Sequence, residues 1–379
     1  LYRQVIERRK TSDVTGCRGP GGRGAAELPW RVTFDTNPDD CNLHCDMCEG
    51  FSQYSTVQKE RKEEGLKPRR MSIWLVEKVL TEWVDLHLES LSPESPKMEV
   101  IPSTMGEPLL YEHFEEFLCL VIREDARLQA HGAPGLKLNL TTNGTFPRLG
   151  AKAWAKKLIP VTSDIKISWN GAEKETQERI MRGQRFEEVL KNVKELVAER
   201  DRVAAAGENF CRLTFQLTFL EENYQEIPDI IELAANLGIN RVKGHHLWTH
   251  WSEMAGRAMK RNVQAVEAWN QMVPKALKVA ECHGIKLEGI DFIPESAGED
   301  LAPGAPCPFL VKEFWVAADG RFNPCCAPNE QRLSLGYFGN LNEDKLEDIL
   351  RGEPYEDLVA TYSTRSLCVG CNMRRWPKE

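Results

Sequence analysis

The sequence predicts an α/β chain, a partial (β/α)6 barrel followed by a small unit of β-hairpin and helix. Three observations carry this. From Trp30 onward, short runs of β-like alternation take turns with longer runs of helical period, the pattern of βα units around a parallel sheet. At 379 residues the chain exceeds what one hydrophobic core usually spans, so a large unit and a smaller one are expected. Near Ile290 the rhythm breaks in the stretch DFIPESAGEDLAPGAPCP, rich in proline, glycine and acidic residues, which reads as a linker.

In chain order, residues 1–29 hold GCRGPGGRGAAELP, which lacks both apolar periodicity and the GK[ST] ending of a phosphate loop, and they read as a flexible leader. Residues 30–290 form the expected barrel unit. Its strands are WRVTFDT, KMEVIPS, LKLNLTTN, DIKISWN, RLTFQLTFL and INRVKGHHLW, and its helices span 72–89, 112–128, 149–158, 186–202, 224–237 and 264–283. Ser72 is placed to cap the first of these helices and Gly238 to end the fifth. The mixed-charge segment from Gln58 to Arg70 reads as a solvated helix or loop. Residues 291–379 form the second unit, with a hairpin in FWVAADGRFNPCC turning at Asp319-Gly320, a helical piece near 343–351, and a terminal CVGC.

Composition narrows the partners. With 49 basic against 57 acidic residues and a net charge of -8, neither nucleic acid nor a membrane surface is the expected partner, and a small molecule or a peptide is. The sequence has no 18-residue apolar run, and LYRQVIERRK lacks the apolar region of a secretory signal, so a cytoplasmic place is expected. Twelve cysteines in such a compartment point to metal binding or catalysis rather than to disulfides.

The stretch Cys41-Asn-Leu-His-Cys-Asp-Met-Cys48 puts three thiols into eight residues directly after the first strand. In a parallel βα array that is the strand's C-terminal end, where such folds place their chemistry. A closed zinc site takes four ligands, for which His44 or Asp46 is at hand, whereas three thiolates alone leave one metal corner free. A 4Fe-4S cluster held by three cysteines likewise has one iron open to a substrate or cofactor. The second unit carries Cys307, the doublet Cys325-Cys326, and the pair Cys368 and Cys371, which suit a closed site of zinc or iron-sulfur type.

The CxxxCxxC spacing of Cys41, Cys45 and Cys48 after the first strand resembles the radical S-adenosylmethionine (SAM) superfamily, whose fold is a TIM-like barrel. Segments at later strand ends resemble it too. Gly106-Glu107-Pro108 is similar to the segment that receives the methionine amino group, and Asn143-Gly144 closes the third strand. Ser168 and Asn170 stand where relatives bond the ribose hydroxyls, and Arg182 is a candidate for the methionine carboxylate. Met47 takes the place of an aromatic residue near adenine. The resemblance implies SAM, a 4Fe-4S cluster on Cys41, Cys45 and Cys48, cleavage to a 5′-deoxyadenosyl radical, and hydrogen abstraction from a C–H bond. The C-terminal cysteines resemble the SPASM/Twitch extension, which implies one auxiliary 4Fe-4S cluster on Cys307, Cys325, Cys368 and Cys371, with Cys326 as an alternative to Cys325.

In this subfamily two substrate classes recur, sugars or aminocyclitols and ribosomally made peptides. The few residues ahead of the first strand are too short for the leader-binding domain of peptide-modifying members, so a small polar substrate, dehydrogenated or epimerised in natural-product biosynthesis, is expected ahead of a peptide given a thioether, cross-link or epimerisation. The resemblance also implies a flavodoxin or ferredoxin as electron donor. Epimerisation needs a hydrogen donor, for which Cys17 and Cys326 are candidates, while Cys119 and Cys282 sit in apolar helical patterns and read as structural. At the sixth strand end, His245 and His246 are candidates for proton removal, with His250, Trp248 and Trp251 beside them and Lys243 and Gln216 on the same barrel face under strand alternation. A non-catalytic zinc protein using both cysteine sets structurally is the alternative of another class.

Overall fold

The computed structural model describes residues 28–91, 95–294, 304–371 and 373–374. Six strands fall where alternation placed them: β1 (Arg31–Phe34), β2 (Met98–Ile101), β3 (Leu136–Thr142), β4 (Thr162–Ser168), β5 (Arg212–Phe219) and β6 (Arg241–His246). The chain adds a short β7 (Lys286–Glu288) and a hairpin of β8 (Glu313–Val316) and β9 (Phe322–Asn323). All nine form a single sheet in the order β7-β6-β5-β4-β3-β2-β1-β8-β9. Neighbours are parallel except for the β8–β9 pair. The barrel is therefore partial, an open curved sheet with β7 at one edge and β9 at the other.

The hairpin expected of a separate unit instead extends the barrel sheet. β8 pairs in parallel with β1, Val32 opposite Phe314 and Phe34 opposite Val316, so β1 is an interior strand with a neighbour on each side. Side chains then bridge the join. Arg332, at the end of the short helix Asn329–Leu333, places Nη2 3.3 Å from Asp35 Oδ2 just past β1, with both side chains less than a tenth exposed.

Helices cover the convex face. In chain order the helices are α1 (Val57–Glu63), which buries no residue and does not belong to this layer, α2 (Ile73–Glu89), α3 (Phe114–Ala130), α4 (Ala151–Leu158), α5 (Lys174–Ile180), α6 (Phe186–Ala205), α7 (Ile227–Leu237) and α8 (Val263–His283). α2 begins because the Ser72 side chain accepts the Leu75 N–H, and it buries Leu75, Val76, Val79, Leu80 and Trp83 against the sheet. α7 stops because Gly238 turns left-handed at φ 82°. α5 and β7 had no sequence expectation, since KETQERI lacks a clear apolar stripe and KLE is only three residues long.

Alternation sorts the strands into two faces. In β4, Ile165 and Ile167 are fully buried under the helices, while Asp164, Lys166 and Ser168 turn to the concave side. A register shift between Leu138 and Asn139 brings Ser163 to that side as well, where its hydroxyl donates to Glu99 Oε1 at 3.1 Å. Among the described residues no helix is long and apolar enough to cross a membrane.

Cutting the bridge between hairpin and barrel has a defined cost. Arg332→Gln leaves Asp35 buried without its cation and should destabilise the fold by about 3 kcal/mol, the loss expected when one partner of a buried pair is removed. Chemical denaturation of the purified variant measures it.

Candidate active site

The loop after β1 is strapped from both sides. Asp40 O accepts from Glu107 N at 2.8 Å, and Asn37 Nδ2 donates to Glu107 O at 3.0 Å, tying the loop to the end of β2. His44 N donates to Arg182 O at 2.9 Å and Asp46 N to Ile180 O at 3.1 Å, tying it to the end of α5. Gly106 makes the first strap possible. Its φ is +77°, and a Cβ there would lie 2.5 Å from Asp40 O and 2.6 Å from Asn37 O.

The straps bring Cys41, Cys45 and Cys48 within electrostatic reach of one another. Burial and then neighbouring negative charge push all three thiols up, Cys41 to about 11 and Cys45 well above its usual range. Cys41 Sγ receives Leu43 N at 3.5 Å and Asn143 Nδ2 at 3.9 Å, and Cys45 Sγ lies 3.6 Å from Met181 Sδ. Among the described residues no group of three or more His, Cys, Asp and Glu converges closely enough to hold a single ion. Three soft donors on one buried loop, each needing a positive centre to become a thiolate, suit an iron-sulfur cluster.

The strand-end residues divide into those that face this loop and those built into the frame. Asn143 faces it, and its side chain also donates to Asn42 Oδ1 at 2.9 Å. Ser168 ends β4 on the concave side, opposite Gln216. Met47 lies in the cysteine loop itself, partly buried. Glu107 is turned inward. Only 1% exposed, it accepts from Thr142 Oγ1 at 2.8 Å, Leu109 N at 3.2 Å and Asn143 N at 2.7 Å, and burial raises its carboxyl to about 7.

Asn170 is likewise spent on the frame, because its Oδ1 accepts Thr218 N at 2.8 Å and its Nδ2 lies 3.1 Å from Met181 Sδ. It ties β4 to β5. Arg182 is taken by Asp46, Nε to Oδ1 at 2.6 Å, and Arg257 grips the other oxygen at 2.9 Å. The Arg182 guanidinium thus anchors the cysteine loop from outside.

Sequence reasoning missed the amides that carry the frame across. Asn170 N donates to Gln177 Oε1 at 2.6 Å, Gln177 Nε2 to Gln184 Oε1 at 2.5 Å, and Gln184 Nε2 to Asn143 O at 2.7 Å. This buried chain runs from the end of β4 to the residue beside Cys41. Its only trace in the sequence is two glutamines seven residues apart on either side of the end of α5.

The concave face forms a polar lumen below the loop. Arg31 pairs with Glu99 at 2.7 Å and Glu313 at 3.5 Å, and Arg241 joins Asp164 and Glu288. Above them Lys243 reaches Glu288 at 2.5 Å, and Gln216 Nε2 lies 3.4 Å from His245 Nδ1. His245 opens to solvent through the lumen mouth, yet the surrounding protein and then Lys243 hold its pKa below the usual histidine value, which keeps the imidazole neutral. His246 does not join it. One residue on, alternation turns its ring outward against Phe219 and Trp269, with centroids 5.4 and 4.7 Å away, so it is a packing residue. His250 and Trp251 stand above the strand end, beside Tyr54.

The second cysteine set is also assembled. Cys307, Cys325, Cys326, Cys368 and Cys371 lie within electrostatic reach of one another. The Cys326 thiol donates to Cys325, which lowers Cys325 to about 7 and raises Cys326. Burial and then the neighbouring thiolates raise Cys368 to about 11. Cys326 is thereby placed among the other thiols of the hairpin. Cys119 and Cys282 are exposed on their helices, not packed inside as their apolar surroundings in sequence suggested, and Cys211 is buried. Cys17 lies outside the described residues.

A partial βα barrel with a buried thiol loop at its strand ends and a second thiol set on a hairpin defines a metal-cluster enzyme class. The profile of the Radical SAM superfamily matches residues 38–234, and that of the SPASM iron-sulfur cluster-binding domain matches residues 307–372. The chain belongs to the radical SAM superfamily and carries a C-terminal SPASM domain, so its cofactors are SAM, a 4Fe-4S cluster and auxiliary iron-sulfur clustering in the SPASM domain.

Among solved structures, SuiB of Streptococcus suis bound to S-adenosylmethionine is similar at 12% identity, with a TM-score of 0.61 over 92% of this chain and 71% of that one. The enzyme anSMEcpe with bound AdoMet and Cp18Cys peptide is similar at 13% identity, with a TM-score of 0.61 over 90% of this chain and 86% of that one. Both likenesses are of fold. No curated protein matches.

Three changes probe this frame. Gly106→Ala forces a Cβ onto two carbonyls and should cost about 1–3 kcal/mol of strain, seen as lower thermal stability and less iron per chain after reconstitution. Gln184→Leu strands buried amide groups on both sides and should cost a similar ~1–3 kcal/mol by denaturant titration. Because the pKa of His245 is held down, its modification by diethyl pyrocarbonate should persist to lower pH than that of free imidazole, as peptide mass spectrometry reads out.

Proposed function

We propose that Cys41, Cys45 and Cys48 hold the SAM-binding 4Fe-4S cluster and that the enzyme abstracts hydrogen from a C–H bond of a small polar substrate, leading to dehydrogenation or epimerisation. The observation that carries the substrate class is the lumen. Beneath the thiol loop it presents Lys166, Ser168, Gln216, Lys243 and His245, hydrogen-bonding groups suited to a hydroxylated molecule. When bound, the cluster and SAM supply a 5′-deoxyadenosyl radical.

The chain's own residues do the rest. Gly106 and Asn143 shape the floor of the loop, Ser168 offers a hydroxyl at the end of β4, and Met47 and Met181 add apolar sulfur beside the thiols. His245, neutral and oriented by Gln216, takes the proton from a substrate hydroxyl as its carbon is oxidised. Cys307, Cys325, Cys368 and Cys371 hold one auxiliary 4Fe-4S cluster, with Cys326 donating a hydrogen bond to Cys325. An auxiliary centre there suits an enzyme that must accept an electron from the substrate, and a flavodoxin or ferredoxin supplies the reducing electron. Residues 30–290 act as the barrel unit and 291–379 as the auxiliary unit.

A second reading, modification of a ribosomally made peptide, draws on the aromatic rim of Tyr54, Trp248, His250 and Trp251 above the lumen, where Trp248 is 41% exposed.

Anaerobic reconstitution with iron and sulfide tests the core of the proposal. The expected product is a brown protein holding two 4Fe-4S clusters that releases 5′-deoxyadenosine with dithionite and SAM. Cys45→Ala should abolish that release, and Cys368→Ala should remove about half of the iron while leaving SAM cleavage measurable. A colourless protein holding zinc, or a brown one forming no 5′-deoxyadenosine, refutes it.

A further inference from the structure

The lumen contains a cation with no hydrogen-bond or ion-pair partner among the described residues. Its carboxylates are all engaged. Glu99 has Arg31 at 2.7 Å, with Asn139 Nδ2 at 3.2 Å, and Glu313 has Arg31 at 3.5 Å and the Thr33 hydroxyl at 2.9 Å. Asp164 has Arg241, Arg212 at 3.7 Å and the Thr214 hydroxyl at 2.8 Å, and Glu288 has Arg241 at 2.8 Å and Lys243 at 2.5 Å. Lys166, two residues above Asp164 on β4, is within the fields of Asp164, Lys243, Arg31 and Glu99 but makes no hydrogen bond or ion pair with any described residue.

The geometry also settles where the ammonium looks. β4 is an interior strand with β3 and β5 on its two sides, and Ile165 and Ile167 turn its other face into the helical layer. The part of Lys166 that solvent still reaches therefore opens into the lumen, level in the ladder with Thr214 and Arg241 and one step below Ser168, Gln216 and Lys243. Burial pulls its pKa down to about 8, so the group remains mostly charged at neutral pH while lacking the counter-ion that would offset its desolvation.

We propose that Lys166 is the binding site for a carboxylate of the substrate. The inference rests on the reading of the lumen as the substrate site. Arg31, Arg212, Arg241, Lys243 and Lys166 face four carboxylates, so a monoanion balances the one excess positive charge, whereas a dianionic phosphate would leave an excess negative charge beside Glu99 and Asp164. A substrate amine would meet Lys166 and Lys243 as like charges. The preferred small polar substrate is thus acid-bearing, a hydroxylated or amino carboxylic acid, with the carboxylate held low in the lumen and the reacting carbon above it toward the thiol loop.

The test needs no turnover. Oxidised, reconstituted protein without dithionite is trace-acetylated at its lysines, and labelling of Lys166 is compared in acetate, acetamide, phosphate and chloride at matched ionic strength. Lys166 labelling should fall about tenfold in ~100 mM acetate, as mass action requires of a site with a dissociation constant of about 10 mM, with Lys59 as the exposed control. Acetamide and chloride should leave it unchanged.

No protection by acetate, equal protection by acetamide, or stronger protection by phosphate overturns the assignment. Lys166→Met supplies an independent readout. Removing an unpaired ammonium should raise the apparent melting temperature of the protein, and a lower one would make Lys166 a structural cation and overturn the proposal. Acetate protection in a protein that forms no 5′-deoxyadenosine would support the site and refute the proposed reaction. Release of 5′-deoxyadenosine without protection would do the reverse.

Discussion

Three thiols from one eight-residue stretch are held buried and within each other's electrostatic reach, an arrangement the protein cannot make favourable by itself. Thiolates there would repel one another in a poor dielectric, so the bare sulfurs stay protonated until a positive centre arrives. Much of the surrounding structure holds the loop in that condition. The Gly106 contact pins it from β2, the backbone of residues 180–182 pins it from α5, and Asp46 is clamped by Arg182 and Arg257. The amide chain from Asn170 through Gln177 and Gln184 to Asn143 carries the rigidity of the central strands to the sulfur of Cys41.

The second thiol set is coupled to the first through the sheet. Because β8 lies against β1, the hairpin that gathers Cys325 and Cys326 grows from the strand next to the one that launches the first cysteine loop. Arg332 and Asp35 fasten the two ends together at a buried ion pair. Two metal-binding regions on adjacent strands of one sheet share a frame, and neither can shift without disturbing the other's backbone ladder.

Between them the concave face is dressed in charge. Arginines on β1 and β6 neutralise carboxylates on β2, β4, β7 and β8, which lets a polar lumen exist in a fold whose other face is largely apolar. Near-complete pairing is what makes Lys166 stand out, since an ammonium without a partner among the described residues lowers stability unless a ligand meets it. Functional sites are where folds tolerate such costs.

Local sequence determined a good deal about this protein. Six strands and most helices were legible because alternation and helical period depend only on neighbours along the chain, and the thiol triplet was legible because its three members share one loop. The capping role of Ser72 and the left-handed turn at Gly238 follow from local chemistry as well. Tertiary structure alone decided the rest. It joined the C-terminal hairpin to β1, and it sent His245 into the lumen and His246 into the helical layer. It gave Asn170, Glu107 and Arg182 partners in the frame that their residue types alone did not reveal. The physical reason is that a side chain's free hydrogen-bonding capacity is set by partners distant in sequence. Asn170 meets β5 forty-eight residues later, and Arg332 meets Asp35 across 297.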